Sequence, residues 1–245
     1  MSSEIPHNKT DKSDKPFPIW VIALIPVYIF VIFIIIFFPL SGDWAWIEAW
    51  LFITSLVINL TISFYVINKK NPRVLRNRMK VKKVGVTEKT KRSAGSDKFI
   101  LPFLGVGFIA ALILPIFDYR NQWSSIPFTV EIIGLVVFNI GVVIMDIAMV
   151  QNAYASKLLD INKDQKLIDT GLYGLVRHPL YSGAVLMMLG LPIALGSWIS
   201  LIPATVGVLA LLIRIKFEEE MLIKGMDGYD EYRTRVKYKI IPKIY

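Results

Sequence analysis

Two polar stretches in the second half of the chain carry side chains whose types and spacing could do chemistry. The first holds Arg177, His178 and Tyr181, just after a glycine-containing loop. Pro179 suits the first turn of the helix that follows, so these side chains are expected to cluster at a helix N-terminus. Apart from His7, His178 is the one histidine of the chain, which makes it the candidate for a group that titrates near neutral pH.

The second stretch runs from Arg214 to three consecutive glutamates at positions 218–220. Arg214 and Glu218 are four residues apart and share a helical face, whereas successive residues rotate by about 100°. At most two of the three glutamates therefore serve one pocket. Each stretch also has a purely structural interpretation, as an interfacial anchor for the first and a solvated acidic turn for the second.

Two apolar helical runs form a hairpin between the two stretches. Such a hairpin enters and leaves a membrane on the same face, so it returns the chain to the side from which it started. Its two runs, residues 180–195 and 198–213, are joined by a two-residue Gly-Ser link, which predicts a tight turn. Pro192 and Pro203 predict that these short helices are kinked or tilted. We therefore expect the two polar stretches to meet in space and to form a site at the membrane surface.

The composition places these helices in lipid rather than in a soluble core. Hydrophobic residues make up 54% of the 245-residue chain and charged residues 19%, against about a quarter charged in soluble domains. Four further runs are long enough to cross a hydrocarbon core of about 30 Å: residues 17–39, 45–67, 99–117 and 128–150. The first is too long for a signal peptide and lacks a cleavage site. The sequence predicts an all-α, polytopic membrane protein with about six transmembrane helices.

The formal charge of +9 mainly reflects the orientation of the protein in the membrane. Six crossings place both termini on one side, and 27 of the 28 Lys and Arg residues then lie there, with Arg120 alone on the other side. The positive-inside rule makes the side with the termini and the candidate site cytosolic. Residues 68–98 form a basic loop with twelve of these residues and are predicted to contact anionic lipid headgroups. No aromatic residues are interleaved there for base stacking, so nucleic acid is not an expected partner.

A few polar side chains lie inside the apolar runs. Asn59 lies in the second run, and Asn139 and Asp146 are seven residues apart on one helical face of the fourth. An intramembrane carboxylate is a functional candidate, with an interhelical hydrogen bond as the alternative. The chain has no cysteine, which excludes disulfides, cysteine zinc sites and a thiol nucleophile, and its sequence shows no metal-binding cluster.

The order and spacing of the motifs resemble those of a known superfamily. Gly-x-Tyr-x-x-x-Arg-His-Pro-x-Tyr is followed by the apolar hairpin, by Arg-x-x-x-Glu-Glu-x-x-Leu and by a Tyr-x-x-Tyr segment ending in Ile-Pro. Over about residues 127–245 this pattern resembles the membrane-embedded isoprenylcysteine carboxyl methyltransferase and phospholipid N-methyltransferase superfamily. That superfamily uses S-adenosyl-L-methionine, held between the hairpin and the C-terminal segment under a tunnel that opens laterally to lipid. No Gly-x-Gly-x-x-Gly follows a strand, which argues against a Rossmann methyltransferase.

The resemblance implies roles for individual residues. The loop 166–173 would enclose the adenosine, Glu218 and Glu219 would bind the ammonium and ribose side of the cofactor, and Arg214 would neutralise a carboxylate of cofactor or substrate. The implied catalytic residues are Arg177, His178, Arg214 and Glu219. The implied cofactor-binding residues are Lys166, Leu167, Ile168, Gly171, Leu172, Tyr173, His178, Pro179, Tyr181, Glu218 and Glu219. The chain departs from the family at Gln165, where His is common, and at Tyr154, where Trp is common.

The composition and charge pattern, together with the motifs, also predict a domain plan and a cellular location. We expect a disordered cytosolic tail over residues 1–16, two N-terminal transmembrane helices over 17–67, the basic loop, and a membrane methyltransferase core over 99–245. The protein is expected in the plasma membrane of a prokaryote or the endoplasmic reticulum of a eukaryote, with the acceptor entering from the bilayer.

The expected reaction is methyl transfer from S-adenosylmethionine to a membrane-borne acceptor, most simply the carboxylate of a C-terminal isoprenylcysteine or a similar prenylated molecule. Phospholipid N-methylation is the alternative within the superfamily. Two other classes remain open on the sequence: a non-catalytic transporter or scaffold in which Asn139 and Asp146 line a path, and a sterol-type membrane reductase that uses a nicotinamide.

Overall fold

The computed structural model describes residues 15–79, 91–152 and 166–245, and the regular secondary structure within them is helical. Four helices are long and apolar enough to cross a membrane, and α6 is a shorter apolar helix, so the predicted all-α membrane fold is confirmed at that level. The helices are α1 (Ile19–Ser41), α2 (Ile47–Lys70), α3 (Pro72–Met79), α4 (Lys91–Asn121), α5 (Phe128–Gln151), α6 (Pro179–Ala194), α7 (Leu201–Gly225) and α8 (Tyr229–Arg235), with the four spans in α1, α2, α4 and α5.

The turn between α6 and α7 is longer than the sequence predicted. It spans residues 195–200 rather than two residues, and Gly196 adopts a left-handed φ of +75°. Ser197 and Ser200 are buried in this turn, and their hydroxyl oxygens lie 2.7 Å apart. Serine side chains that bond locally compete with the helix, which explains the wider turn. Pro203 then falls in the first turn of α7, where a backbone N–H would have no intrahelical partner, so no kink is required there.

Glycines let the hairpin pack closely against α4 and α5. A Cβ atom on Gly141 of α5 would lie only 2.6 Å from the carbonyl oxygen of Gly183 on α6. One on Gly107 of α4 would lie 2.9 Å from the amide nitrogen of Gly207 on α7. Small residues permit this close approach between membrane helices. The contacts fix α6 and α7, and therefore the polar residues at their ends.

An aromatic cluster links the other helices. Phe37 stacks on Trp46 with 5.7 Å between ring centroids, and Trp46 stacks on Tyr119 at 4.5 Å. Phe52 meets Phe138 edge-on at 5.1 Å. Such pairs contribute about 0.5–1.5 kcal/mol each beyond the area that they bury. The cluster joins α1, α2, α4 and α5 into one support for the hairpin.

Three short connections, those between α1 and α2, α4 and α5, and α6 and α7, lie together at one end of the bundle. Tyr119 donates a hydrogen bond to Asp43 at 2.6 Å, and the buried Asp118 accepts one from Ser197 of the hairpin turn. Arg120, which the positive-inside count assigns alone to one side, lies at this end. The polar stretches on either side of the hairpin lie at the opposite end, because α6 and α7 run antiparallel from the turn.

Polar side chains inside the bundle pair between α2 and α5. Ser55 donates to Asn139 at 2.8 Å, Asn59 donates to the same amide oxygen, and Ser63 donates to Asp146. Both Asn139 and Asp146 therefore bond to a neighbouring helix, which is one of the two interpretations that the sequence left open.

The basic stretch 68–98 is helical in part, unlike the loop that the sequence suggested. Residues 72–79 form α3, and residues 91–98 belong to α4. The difference has a simple cause: hydropathy marks where a helix leaves lipid, not where its backbone hydrogen bonds end. Residues 80–90 lie outside the described residues, as do the first 14 residues, on which the expected disordered tail mainly falls.

Candidate active site

An ion pair between Arg177 and Glu219 joins the two polar stretches. Arg177 Nε lies 2.6 Å from Glu219 Oε1, and the two side chains are only 8% and 14% exposed. Nη1 of the same guanidinium donates to the carbonyl oxygens of Val236 and Lys237, both at 2.8 Å. One side chain thus holds α7 and the C-terminal segment against the start of α6, and the two stretches meet as the hairpin predicted.

Glu219 lies among three basic side chains. His178 Nε2 is 3.3 Å from Oε1, and Lys239 Nζ is 3.3 Å from Oε2, in addition to the bond from Arg177. Burial raises the pKa of Glu219, but hydrogen bonds from His178 and Arg177 outweigh it and lower the pKa to about 2. Glu219 is therefore ionised at neutral pH and can only accept hydrogen bonds, so His178 Nε2 is the donor in their contact.

A second set of side chains links α4, α7 and α6. Arg214 Nε lies 3.1 Å from Asp97 Oδ1, and Arg214 Nη1 donates to the Tyr181 hydroxyl at 2.9 Å. The Tyr181 hydroxyl in turn donates to Glu218. Arg214, Asp97 and Tyr181 are all buried. Asp97 balances the charge of Arg214, and Tyr181 bridges Arg214 to Glu218, the pair that the sequence placed on one helical face.

The C-terminal segment runs beside the start of α6. The backbone N–H of Arg177 donates to the carbonyl oxygen of Tyr238 at 2.9 Å, and that of His178 donates to Lys239 at 2.8 Å. Ile240 is buried among apolar side chains of α6 and α7. The segment thus satisfies donors before the first turn of α6, and it packs back onto the bundle.

Two buried tyrosines of α8 differ in their hydrogen bonding. The Tyr232 hydroxyl donates to the carbonyl oxygen of Tyr173 at 2.7 Å. The Tyr229 hydroxyl is buried with no hydrogen-bond partner among the described residues. Burial raises the pKa of Tyr229, and the nearby charge of Glu219 raises it further. The site therefore holds an unused hydroxyl close to the Arg177–Glu219 pair.

The loop before α6 packs between the end of α5 and α8. Gly171 adopts a left-handed φ of +61°, and a Cβ atom there would lie 2.6 Å from the side-chain amide carbon of Gln151. Gln151 Oε1 accepts a hydrogen bond from the backbone N–H of Leu172 at 3.0 Å. Leu167 packs against the cluster of Tyr229 and its neighbours. The glycine is needed both for its φ and for the close approach of Gln151.

The predicted site residues fall into two neighbouring groups. Arg177, His178, Tyr181, Arg214, Glu218 and Glu219 lie together, with Pro179 as the first residue of α6. The second group is the loop before α6, which a hydrogen bond from Tyr232 to Tyr173 ties to α8. Its predicted residues are Lys166, Leu167, Ile168, Gly171, Leu172 and Tyr173. Positions 154 and 165, where the chain departs from the family pattern, lie outside the described residues.

Sequence reasoning missed three residues of this region: Asp97, Gln151 and Lys239. Asp97 lies two residues before an apolar run, and a carboxylate at such a boundary can indicate a charge partner inside the bundle. Gln151 and Lys239 carry no comparable signal, because their roles depend on contacts that form only when the helices pack. Among the described residues, no group of three or more His, Asp or Glu side chains could hold a metal ion.

Comparisons with known proteins agree with the motif pattern. Residues 130–226 match the family model described as phospholipid methyltransferase. A 77-residue stretch, 31% of this chain, is 35% identical to the protein-S-isoprenylcysteine O-methyltransferase of Schizosaccharomyces pombe. That stretch spans 33% of the length of the curated relative.

A solved structure is similar over most of the chain. The eukaryotic intramembrane Ras methyltransferase, an isoprenylcysteine carboxyl methyltransferase, superposes with a TM-score of 0.46 at 18% identity, covering 92% of this chain and 93% of the other. The family model covers both polar motifs on either side of the hairpin, from before Arg177 to beyond Glu219. Residues 130–226 therefore match the phospholipid methyltransferase family model, in agreement with the superfamily that the sequence motifs indicated.

Proposed function

We propose that this protein is a membrane methyltransferase that uses S-adenosylmethionine and methylates a membrane-borne acceptor, most simply the carboxylate of a C-terminal isoprenylcysteine or a similar prenylated molecule. The observation that carries the proposal is the Arg177–Glu219 ion pair, which assembles both superfamily motifs at one end of the hairpin. The isoprenylcysteine preference draws on the name of the fission yeast relative.

The chemistry of the side chains fits the proposed cofactor. S-Adenosylmethionine supplies a methyl group on a sulfonium, together with an ammonium and a carboxylate that need opposite charges. Glu218 accepts from the Tyr181 hydroxyl, which leaves lone pairs on its carboxylate for an ammonium group. The Tyr229 hydroxyl offers a further hydrogen bond, and such a buried orphan group costs about 1–3 kcal/mol while it has no partner. Together they support a polar ligand at this site.

The ion pairs divide the proposed roles between the two arginines. Arg214 is already balanced by Asp97, so we assign it to holding the Tyr181 hydroxyl rather than to binding a carboxylate. Arg177 uses Nε and both hydrogens of Nη1 within the protein, which leaves the two Nη2 hydrogens for a carboxylate of cofactor or acceptor. Glu219 then acts by holding Arg177 and His178 in place.

The chain would contribute mainly alignment and exclusion of water. Methyl transfer proceeds in line from sulfonium to nucleophile, so the residues must fix two partners in a near-attack geometry. A prenylcysteine carboxylate is already ionised and needs no base. Arg177 would then orient the acceptor, and the helical ends of the hairpin would keep bulk water away.

Phospholipid N-methylation is the second candidate, because the matching family model carries that description. An ethanolamine nitrogen must lose a proton, and His178 would have to take it. The products separate the two reactions: label from tritiated cofactor in a methyl ester is released by mild base, whereas label in an N-methyl group is not. Incubation with host membranes and tritiated cofactor should give base-labile label, and base-stable lipid label would favour the second candidate.

We also propose the finer topology of six crossings with cytosolic termini. The three short connections lie at the end of the bundle that holds Arg120, and the basic stretches lie at the other end. α6 has 16 residues, about 24 Å at 1.5 Å per residue, so it would cross a locally thin or indented bilayer. The basic residues around α3 would contact anionic headgroups, and the endoplasmic reticulum would be the membrane in a eukaryotic cell.

Calorimetric titration of the purified protein with S-adenosylmethionine tests the proposal against a transporter, a scaffold or a nicotinamide-dependent reductase. We expect saturable 1:1 binding with a dissociation constant below about 1 mM, in the range of ordinary substrate affinities. NADPH serves as the control ligand and should give no heat. Folded protein that binds NADPH but not S-adenosylmethionine would overturn the assignment.

A further inference from the structure

A cavity of about 540 Å³ lies between α1, α2, α5 and α6. None of its lining residues belongs to the motif stretches at 166–182 and 214–245, so its walls are built from other residues than those of the Arg177–Glu219 site. Its volume lies within the range of about 300–1,000 Å³ that is usual for small-molecule pockets. Most of the wall is apolar, and Met145, Met149 and Met187 provide flexible side chains that adapt to a ligand.

Three polar side chains interrupt this apolar wall: Asn59, Ser63 and Asp146. Their donors are engaged within the protein. The Ser63 hydroxyl donates to Asp146, and Asn59 Nδ2 donates to the Ser55 carbonyl oxygen at 2.9 Å and to Asn139. The bond to a backbone carbonyl fixes the orientation of the Asn59 amide, because only its nitrogen can donate.

The cavity therefore offers acceptors and lacks donors on its polar side. Asn59 Oδ1, the lone pairs of the Ser63 hydroxyl and the Asp146 carboxylate can each accept a hydrogen bond. A carboxylate or phosphate head placed there would meet like charge and find no donor, which is costly in a low-dielectric interior. A hydroxyl or an amine would instead satisfy these groups.

We propose that this cavity binds an amphiphile from the bilayer whose head group donates hydrogen bonds to Asp146 and Asn59, with its apolar chain against the methionine-lined wall. Long-chain alcohols and long-chain amines share this chemistry. The proposed carboxylate acceptor of methyl transfer does not, so the cavity is a second ligand site. That this is a second site rests on the proposed acceptor, whereas the binding of a hydrogen-bond-donating head group does not depend on methyltransferase activity.

Photolabelling of the full chain in phosphatidylcholine nanodiscs tests the inference. Three probes share a 16-carbon chain with a mid-chain diazirine and end in an alcohol, an amine or a carboxylate. After irradiation, peptide mass spectrometry locates the label. We expect the alcohol or the amine to label the cavity-lining peptides of α2 and α5 at least about tenfold more than the carboxylate. Comparison of alcohol with amine then decides between a neutral and a cationic head.

Two variants and one control connect the label to the cavity. Asp146→Asn keeps the shape and the acceptor for Ser63 but removes the charge, so it should reduce amine labelling at least about fivefold. Leu60→Trp fills the cavity and should reduce labelling by both donor probes. Ile147→Ala alters a lipid-facing neighbour on α5 that is 42% exposed, and it should leave labelling unchanged. Thermal unfolding in detergent checks that each variant is folded.

Four results would overturn the inference. One is equal labelling by the carboxylate probe, and another is labelling of α2 and α5 that both cavity variants leave unchanged. The third is loss of cavity labelling when excess S-farnesylcysteine is added, because the cavity would then belong to the acceptor site. Absence of any label on α2 and α5 would have the same meaning as the second result.

Discussion

Arg177 and Glu219 are 42 residues apart in sequence, yet their side chains meet at 2.6 Å across the open end of the α6–α7 hairpin. Both are largely buried, and the guanidinium also holds two backbone carbonyls of the C-terminal segment. Removing one partner of such a pair leaves a buried charge without compensation, which costs about 3–5 kcal/mol in other proteins. Both the stability of the fold and the geometry of the site therefore depend on this ion pair.

Replacing Glu219 should reduce activity far more than replacing the neighbouring Glu220. Glu219→Gln removes the charge that holds Arg177 and His178, so we expect methyl transfer to fall at least about a hundredfold. His178→Ala should have a loss of the same order. Glu220→Gln is the matched control, because Glu220 pairs with Lys224 on a half-exposed helix face and should retain activity within about twofold. Rates equal to wild type in both Glu219→Gln and His178→Ala would remove these residues from the site.

The two tyrosines of α8 should respond in opposite ways to loss of the hydroxyl. Tyr232→Phe loses the bond to the Tyr173 carbonyl oxygen and should destabilise the protein by about 1 kcal/mol or more. Tyr229→Phe removes a buried hydroxyl without a partner, so unfolding in the absence of ligand should occur at the same or a higher temperature. Its affinity for S-adenosylmethionine should fall. Thermal unfolding and calorimetric titration of both variants measure these effects.

A drop in the stability of Tyr229→Phe as large as that of Tyr232→Phe would mean that the hydroxyl is bonded in the protein. An unchanged cofactor affinity would assign Tyr229 to packing alone.

Glu219 should make the stability of the protein depend on pH in the acid range. Its pKa falls from 4.5 to about 2 on folding, so its contribution to stability is fully present above pH 4.5 and is lost as the pH falls toward 2. The difference in melting temperature between wild type and Glu219→Gln should therefore stay constant from about pH 8 to pH 5 and shrink below that. A difference that already shrinks between pH 7 and pH 5 would contradict an ionised, hydrogen-bonded Glu219.

The Asp97–Arg214 pair should act on the site through Tyr181. Asp97→Asn removes the carboxylate charge beside Arg214, so we expect lower stability and an altered Tyr181–Glu218 contact. Weaker binding of the cofactor ammonium by Glu218 should raise the KM for S-adenosylmethionine and change kcat less. A double-mutant cycle with Arg214→Gln measures the coupling, and additive effects would show that the two side chains act independently.

Much of the architecture could be predicted from the sequence because its signals are local. Apolar runs locate α1, α2, α4 and α5, and the continuation of α7 beyond its apolar part follows from helical spacing between Arg214 and Glu218. The hairpin brings the motifs together because it returns the chain to the same end. The buried face of α8 and Ile240 likewise follows an amphipathic pattern.

Other features depend on packing and leave no local pattern. Asp97 meets Arg214 only after α4 and α7 pack through Gly107 and Gly207, so helical spacing could not pair residues 117 positions apart. The predicted hairpin turn was too short because the apolar Trp198 and Ile199 were assigned to the helix, whereas Ser197 and Ser200 bond to each other. The helical part of the basic stretch was missed because charge pattern says nothing about backbone hydrogen bonds.

Methyl transfer from tritiated S-adenosylmethionine to S-farnesylcysteine, catalysed by the purified protein in nanodiscs, tests the proposed function most directly. We predict label that mild base releases as methanol, formed at a rate at least about a hundredfold lower with Glu219→Gln and near the wild-type rate with Glu220→Gln. Folded protein that binds the cofactor but forms no base-labile product with a prenylated carboxylate, or that forms it equally well with Glu219→Gln, would contradict the account.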